Sequence, residues 1–333
     1  MKLTVLAALL PLAIALPASA LTYQITDLGS IEPDQAMRAY GISRNGDVVG
    51  WSDTAHGPHA FVLRGGVLQD LGTLGGKHSY AYGINSRGHA VGEAQTREGL
   101  PHAFVDRGKG LEDLGTLGGA TSSAIGINRA GEIVGKSTRS DGQSHAFLYK
   151  DGSMADLGSL GGDASFAIAI NDSGQVVGTS LTADRREHAF LYAGGVMTNL
   201  GTLGGEYSGA YAVNAAGAVT GYATVASGDP HAFLYSDGEM QDLGLLPMAS
   251  RCQGAALNDK GEVIGSCDVH SKPVPFVYRH GRMHSLKRFL DPVSGAGWSL
   301  NEVRGINNAG QIVGTGKYEH GKYRAILLTP LKP

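Results

Sequence analysis

The chain has 333 residues, 42% of them hydrophobic and 17% charged, with a formal net charge of −3. That balance is globular, and without a basic cluster it argues against a nucleic-acid partner. Glycine is the outlier, at 51 residues against a usual share of about 7%, and with no glycine at every third position the excess does not mean collagen.

Residues 1–20, MKLTVLAALLPLAIALPASA, hold one lysine, an apolar run and the small-x-small triplet Ala18-Ser19-Ala20. This pattern predicts a signal peptide cut after Ala20. The apolar run is short for a membrane anchor and no second one follows, so no membrane span is expected after cleavage. No cysteine follows the cut, which argues against a lipid anchor. The expected location is extracytoplasmic, either periplasmic or secreted.

Residues 21–333 read as a single domain of 43-residue repeats. The word DLG begins at Asp27, Asp70, Asp113, Asp156 and Asp242, with NLG at Asn199 and Ser285 at the seventh equivalent place. A word like GIN centres on Ile42, Ile84, Ile127, Ile170, Val213, Leu257 and Ile306. HAF begins at His59, His102, His145, His188 and His231, then decays to VPF at Val274 and RAI at Arg324. Each unit reads as four short strands, such as AYGIN, VVGWS, HAFVL and LQDLG, with no helical periodicity beyond the leader. The first two are joined by Asn-x-x-Gly in six units and by Ser43 to Gly46 in the first; the glycine suits a positive-φ turn position. A glycine inside the second strand of every unit, Gly50 to Gly314, marks close packing, expected where blades crowd the ring axis.

Four strands per roughly 43 residues is the period of a propeller blade. The ends distinguish a ring from a solenoid. The mature chain starts with a lone outer strand, YQITDLG, and ends with three strands lacking one. The predicted fold is therefore an all-β, seven-bladed β-propeller of four-stranded antiparallel blades, closed by the N-terminal strand so that no sheet edge is left open.

The words HAF, DLGTLGG and GIN…G.VVG resemble the HAF-repeat family of bacterial extracellular proteins. The resemblance covers nearly the whole mature chain, with units six and seven departing from it. It implies export and a repeat fold, and assigns no activity to particular residues.

Cys252 and Cys267 are symmetric about the sixth Asn258-to-Gly261 turn, so they should face each other across that hairpin. Serines hold the same places at Ser122 with Ser137 and at Ser165 with Ser180. An exported protein can keep such a disulfide; the alternative is a catalytic or metal-binding pair. The HAF histidines invite a metal, but strands about 4.8 Å apart place the third strand ~16 Å from the axis and neighbouring copies ~14 Å from one another. A histidine bond to the DLG carboxylate fits better. AGEIVGKS, residues 130–137, lacks the first glycine and the helix of a phosphate loop. NDKGE and NDSGQ lack the acidic ligands of a calcium loop. No metal and no cofactor are expected.

Binding residues gather on variable loops held by a rigid scaffold. The connections from second to third strand differ in every unit, and they share a face with the connections between units. Candidates on this face are Asp184, Arg185, Arg186 and Glu187 in the fourth unit, His270 in the sixth, and Lys317, Tyr318 and His320 in the seventh. Trp298, on a longer last loop, either contacts a ligand or plugs the ring seam. The expected function is non-catalytic binding or scaffolding of a peptide, protein or envelope glycan by a monomer. The alternative is a polysaccharide lyase or hydrolase with a loop-borne acid–base pair.

Overall fold

The computed structural model describes residues 21–319 and 321–331. The expected signal peptide, residues 1–20, lies outside the described residues. Strands dominate, as the alternating repeats require, and the fold is a β-propeller. In the third blade the strands run Gly118–Ile127, Ile133–Arg139, Ser144–Lys150 and Ser153–Asp156, each antiparallel to the next. Pairings of this kind group the described strands into seven such blades, the third and fourth touching through one parallel bridge, Ser144 to Ala164.

The seventh blade is built from both ends of the chain. Trp298–Ile306, Ile312–Tyr318 and Tyr323–Leu331 supply three strands, and Thr22–Asp27 supplies the outer one. The closing strand pairs antiparallel from Thr22 opposite Leu331 to Asp27 opposite Ile326. The first blade packs on the seventh, so the ring closes. Tyr23 anchors the seam: it is 2% exposed, and its carbonyl accepts the Asp291 N–H at 2.8 Å. Burial foremost, and then Glu262, push its phenol up to about 12 against the opposing Arg279. An unfolded tyrosine ionises near 10, so stability should fall as pH rises from 10 to 12, by roughly 2–3 kcal/mol in total. Denaturation midpoints across that window test this, and Tyr23→Phe should remove most of the fall.

The repeated words now have physical meanings. Phe61, Phe104, Phe147, Phe190, Phe233 and Phe276 are fully buried between blades, with Ile326 as the seventh. Each HAF histidine bonds through Nδ1 to the residue opening its own DLG or NLG word. His59–Asp70 and His102–Asp113 close to 2.9 Å, His145–Asp156 and His231–Asp242 to 2.8 Å, and His188 meets Asn199. The first strand of blades two to five carries a serine that latches it to the blade before. In blade three Ser122 Oγ accepts the Ala103 N–H at 2.8 Å and donates to the Gly115 carbonyl at 2.6 Å.

The turn asparagines do more than turn the chain. Asn171 Oδ1 accepts the N–H groups of Ser173 and Gln175, while its amide donates to Gln175 Oε1 and to the Asn214 carbonyl of the next blade. The same crossing runs from Asn85, Asn128, Asn214 and Asn258 to the next blade, and from Asn307 to the Ser43 carbonyl across the seam. Ser43 is too short to cross, and Asn45 donates to the Ser86 carbonyl instead. Asn171→Ala should cost about 1–3 kcal/mol by leaving buried backbone groups unpaired. Asn171→Ser keeps an acceptor for the turn and should recover part of that loss in urea denaturation.

One sequence expectation needs correcting. The second-strand glycines are crowded by their own blade and not by a neighbour. A Cβ at Gly50, Gly92, Gly135, Gly178 or Gly221 would lie 1.9 Å from a carbonyl oxygen of that blade's first strand. The crowding between blades falls on first-strand glycines: a Cβ at Gly83 would lie 2.6 Å from the Ile125 carbonyl. The cause is a β-bulge. In blade two Ala81 pairs with Gly92 and Gly83 with Val91, leaving Tyr82 as an extra residue. All seven first strands shift register at this place.

The long last connection also differs from a plain loop. It contains a 3-10 turn, Leu286–Phe289, which buries Leu286 in the seventh blade's core. Among the described residues no helix is long and apolar enough to cross a membrane.

Candidate ligand-binding face

The first strand of each blade lies at one end of its antiparallel ladder, and the seven first strands end around one axial cavity. A bulge residue there has no ladder partner and is re-aimed out of the sheet. These extra residues are Tyr40, Tyr82, Ile125, Ile168, Tyr211, Ala255 and Arg304. Four of them interact around the axis. The rings of Tyr40 and Tyr82 are 5.6 Å apart, Arg304 stands 5.9 Å over Tyr40, and the charge of Arg304 reaches Tyr211 two blades away.

Toward the loop-rich face this collar widens into a continuous cluster over blades seven, one and two. Trp51 Nε1 donates to the Tyr40 hydroxyl at 3.1 Å, and its ring meets Tyr80 edge-on at 5.8 Å. Arg38 lies 5.8 Å from the Trp51 ring and 4.7 Å from the Tyr323 ring. Glu302 accepts from Arg38 at 3.4 Å and from Arg304 at 2.9 Å, so one carboxylate holds two guanidiniums. Across the ring Tyr211 and Tyr222 pack 5.8 Å apart, and the Tyr222 hydroxyl donates to Glu187 at 3.2 Å.

The Tyr82 and Tyr222 phenols are held protonated. Burial, reinforced by Glu93, raises Tyr82 far above its ordinary value, and burial with Glu187 does the same to Tyr222. The face thus offers aromatic surface, hydroxyl donors and guanidinium groups paired with carboxylates. Stacked rings give contact area at low entropic cost, and a cation held over a ring stays available to an anion.

The sequence-predicted residues divide. Lys317 stands 4.2 Å over Tyr323 and so joins the cluster through the ring that also receives Arg38. Glu187 joins it through Tyr222. Trp298 opens the first strand of the seventh blade instead of lying in a loop; it pairs with Tyr318 in the ladder, their rings 5.5 Å apart, and packs on the blade's core. Asp184, Arg185 and Arg186 stay on the fourth blade's rim, in ion pairs such as Arg185–Asp163 at 3.0 Å and Arg186–Glu206 at 3.2 Å. His270 is exposed at the sixth blade's turn, with φ 50°. His320 lies outside the described residues. Cys252 and Cys267 are directly opposite in the ladder and bonded, with Cα atoms 4.0 Å apart.

The opposite face is closed differently. At the tips of the asparagine turns Arg44 reaches Asp259 at 3.3 Å and Asp172 at 3.9 Å over a cavity of about 250 Å³. Burial would raise Asp259, but the Ala215 N–H, the Asn308 amide and Arg44 together hold it below the usual carboxylate value.

No protein-family model matches the chain, and no curated protein matches it in sequence. Similar solved structures include a gluconolactonase from Xanthomonas campestris, 11% identical over 95% of this chain and 96% of that one, with a TM-score of 0.45. A TolB from Acinetobacter baumannii is 12% identical over 86% and 80%, with a TM-score of 0.47. A puromycin hydrolase is 15% identical over 91% of this chain and 52% of its own, with a TM-score of 0.52. This last likeness agrees with the propeller architecture and speaks to the fold alone.

Proposed function

We propose that the protein is an exported, non-catalytic binding module. Its ligand, a peptide, a protein or an envelope glycan, seats on the aromatic cluster at the axial mouth of the loop-rich face. The observation that carries this reading is the run Tyr323, Arg38, Trp51, Tyr40, Arg304 across the ring seam, where rings and guanidiniums alternate. A stable ring has no need of such a row on its axis. Export is supported by the disulfide, which persists in oxidising compartments, and by the resemblance of the repeats to the HAF-repeat family.

Peptide and glycan arrays probed with the mature protein test the reading. Arg304→Ala and Trp51→Ala should each weaken the strongest binding at least tenfold, about 1.4 kcal/mol. Full binding by both variants would place the ligand elsewhere. Turnover of a bound polysaccharide, lost in Glu187→Gln, would establish the enzymatic alternative instead, since Glu187, at the start of the fourth blade's third strand, reaches Tyr222.

A further inference from the structure

A cavity of about 530 Å³ opens on the loop-rich face between the fifth and sixth blades, beside the axial cluster. Its fifth-blade wall is Tyr211 and Tyr222. Its sixth-blade wall is two opposed triplets, Arg251-Cys252-Gln253 and Ser266-Cys267-Asp268, paired residue for residue in the ladder and cross-linked at their centres by the disulfide. The serine latch that ties blades two to five to their predecessors is replaced here by Cys252. Ser208 bonds the Ala189 N–H and the Gly201 carbonyl at the junction before, whereas Cys252 contacts Met283 within its own blade. The junctions into blades six, seven and one lack this latch, and the first of them holds the cavity.

The chemistry of the walls selects a ligand class. The cavity has the volume of a small-ligand site, but its lining is unusually polar for one. Gln253 and Ser266 can donate and accept, and Arg251 donates to Asp268 Oδ2 at 3.1 Å. Asp268 Oδ1 is buried and accepts no hydrogen bond. Two phenol rings lie opposite this polar wall. A polyol with a flat C–H face matches both sides: hydroxyls toward the amide and carboxylate, ring face on tyrosine.

We infer that this cavity is a saccharide subsite, sized for one or two pyranose rings, whose polar wall is braced by the disulfide. It rests on the binding reading above and narrows its ligand to a glycan. A chain leaving the cavity past Tyr211 enters the axial cluster directly.

Titration calorimetry of the mature protein with chitotetraose, cellotetraose and a galacturonic acid tetramer, chosen beside an oligosaccharide array, tests this. At least one saccharide should bind. Gln253→Ala and Tyr222→Ala should each weaken it fivefold or more, and Cys252→Ser with Cys267→Ser should weaken it about tenfold while circular dichroism shows the fold retained. If a saccharide binds but responds only to Trp51→Ala and Arg304→Ala, the subsite is overturned and the axial cluster stands. If only peptides bind, or no saccharide does, the ligand class is overturned.

Discussion

Gly135→Ala is expected to unfold or severely destabilise the third blade, at a cost of about 3 kcal/mol or more. The added methyl would sit 1.9 Å from the Ser123 carbonyl oxygen and 2.9 Å from the Ala124 Cα, both backbone atoms that cannot rotate away. They are held by the bulge that leaves Ile125 unpaired between Ala124 and Gly126. Relief would require the first strand to drop its extra residue, which would turn its side chains to the wrong faces. Gly126→Ala in the same hairpin is the control. Its methyl would lie 3.0 Å from the Ile168 carbonyl, yet the fourth, fifth and sixth blades carry Ala169, Ala212 and Ala256 at that place. Urea denaturation followed by circular dichroism should show a large loss for the first variant and under about 1 kcal/mol for the second. Equal midpoints for Gly135→Ala and the parent would contradict the bulge account.

The second large effect is the loss of the cross-link. Changing Cys252 and Cys267 together to serine should lower stability by about 3 kcal/mol, the chain-entropy value for a loop of this length, since the two are 15 residues apart. Serine is a fair replacement because Ser122 faces Ser137, and Ser165 faces Ser180, at the same ladder positions in two other blades. The pair therefore fits without overpacking, and the difference reports the covalent link. Equilibrium unfolding of the double variant, compared with the parent with and without reductant, separates the cases. A parent that loses nothing on reduction would mean that packing alone holds the sixth blade.

Much of this architecture is written in the repeats. The 43-residue spacing and the split seventh unit are properties of chain order, so they give the blade and its closure directly. The cysteine pairing follows from symmetry about Asn258 to Gly261, and the histidine-to-DLG bond follows from the recurrence of both words at one offset. The axial cluster was harder to read. Alternation with period two assigns Tyr40 and Tyr82 to a blade face, and only the extra residue of the bulge sends them to the axis. A signal was present all the same. Tyr40, Tyr80, Tyr82, Tyr211, Tyr222 and Trp51 all fall in first or second strands of blades one, two and five, an uneven share of 13 tyrosines and two tryptophans. Loop variability pointed to the loop-rich face but not to the axis. Arg185 and Arg186 are charged and variable, yet their partners are rim carboxylates, Asp163 and Glu206. The asparagine crossings could not be inferred from the turn motif, because a turn needs only the side-chain oxygen, and the partner of the amide lies in the next blade.

Ring closure underlies the axial cluster, since Arg38 and Trp51 of the first blade meet Glu302, Arg304 and Tyr323 of the seventh only if the two blades touch. The most direct measurement is a cross-link between the chain ends. Gln24 lies opposite Thr329 in the closing pair of strands. In the protein carrying Gln24→Cys and Thr329→Cys, mild oxidation should join the two new cysteines within one molecule. Proteolysis followed by non-reducing mass spectrometry should then show one linked peptide, with the Cys252–Cys267 bond intact. Two thiols that stay free under the same oxidation would mean that the first strand does not complete the seventh blade.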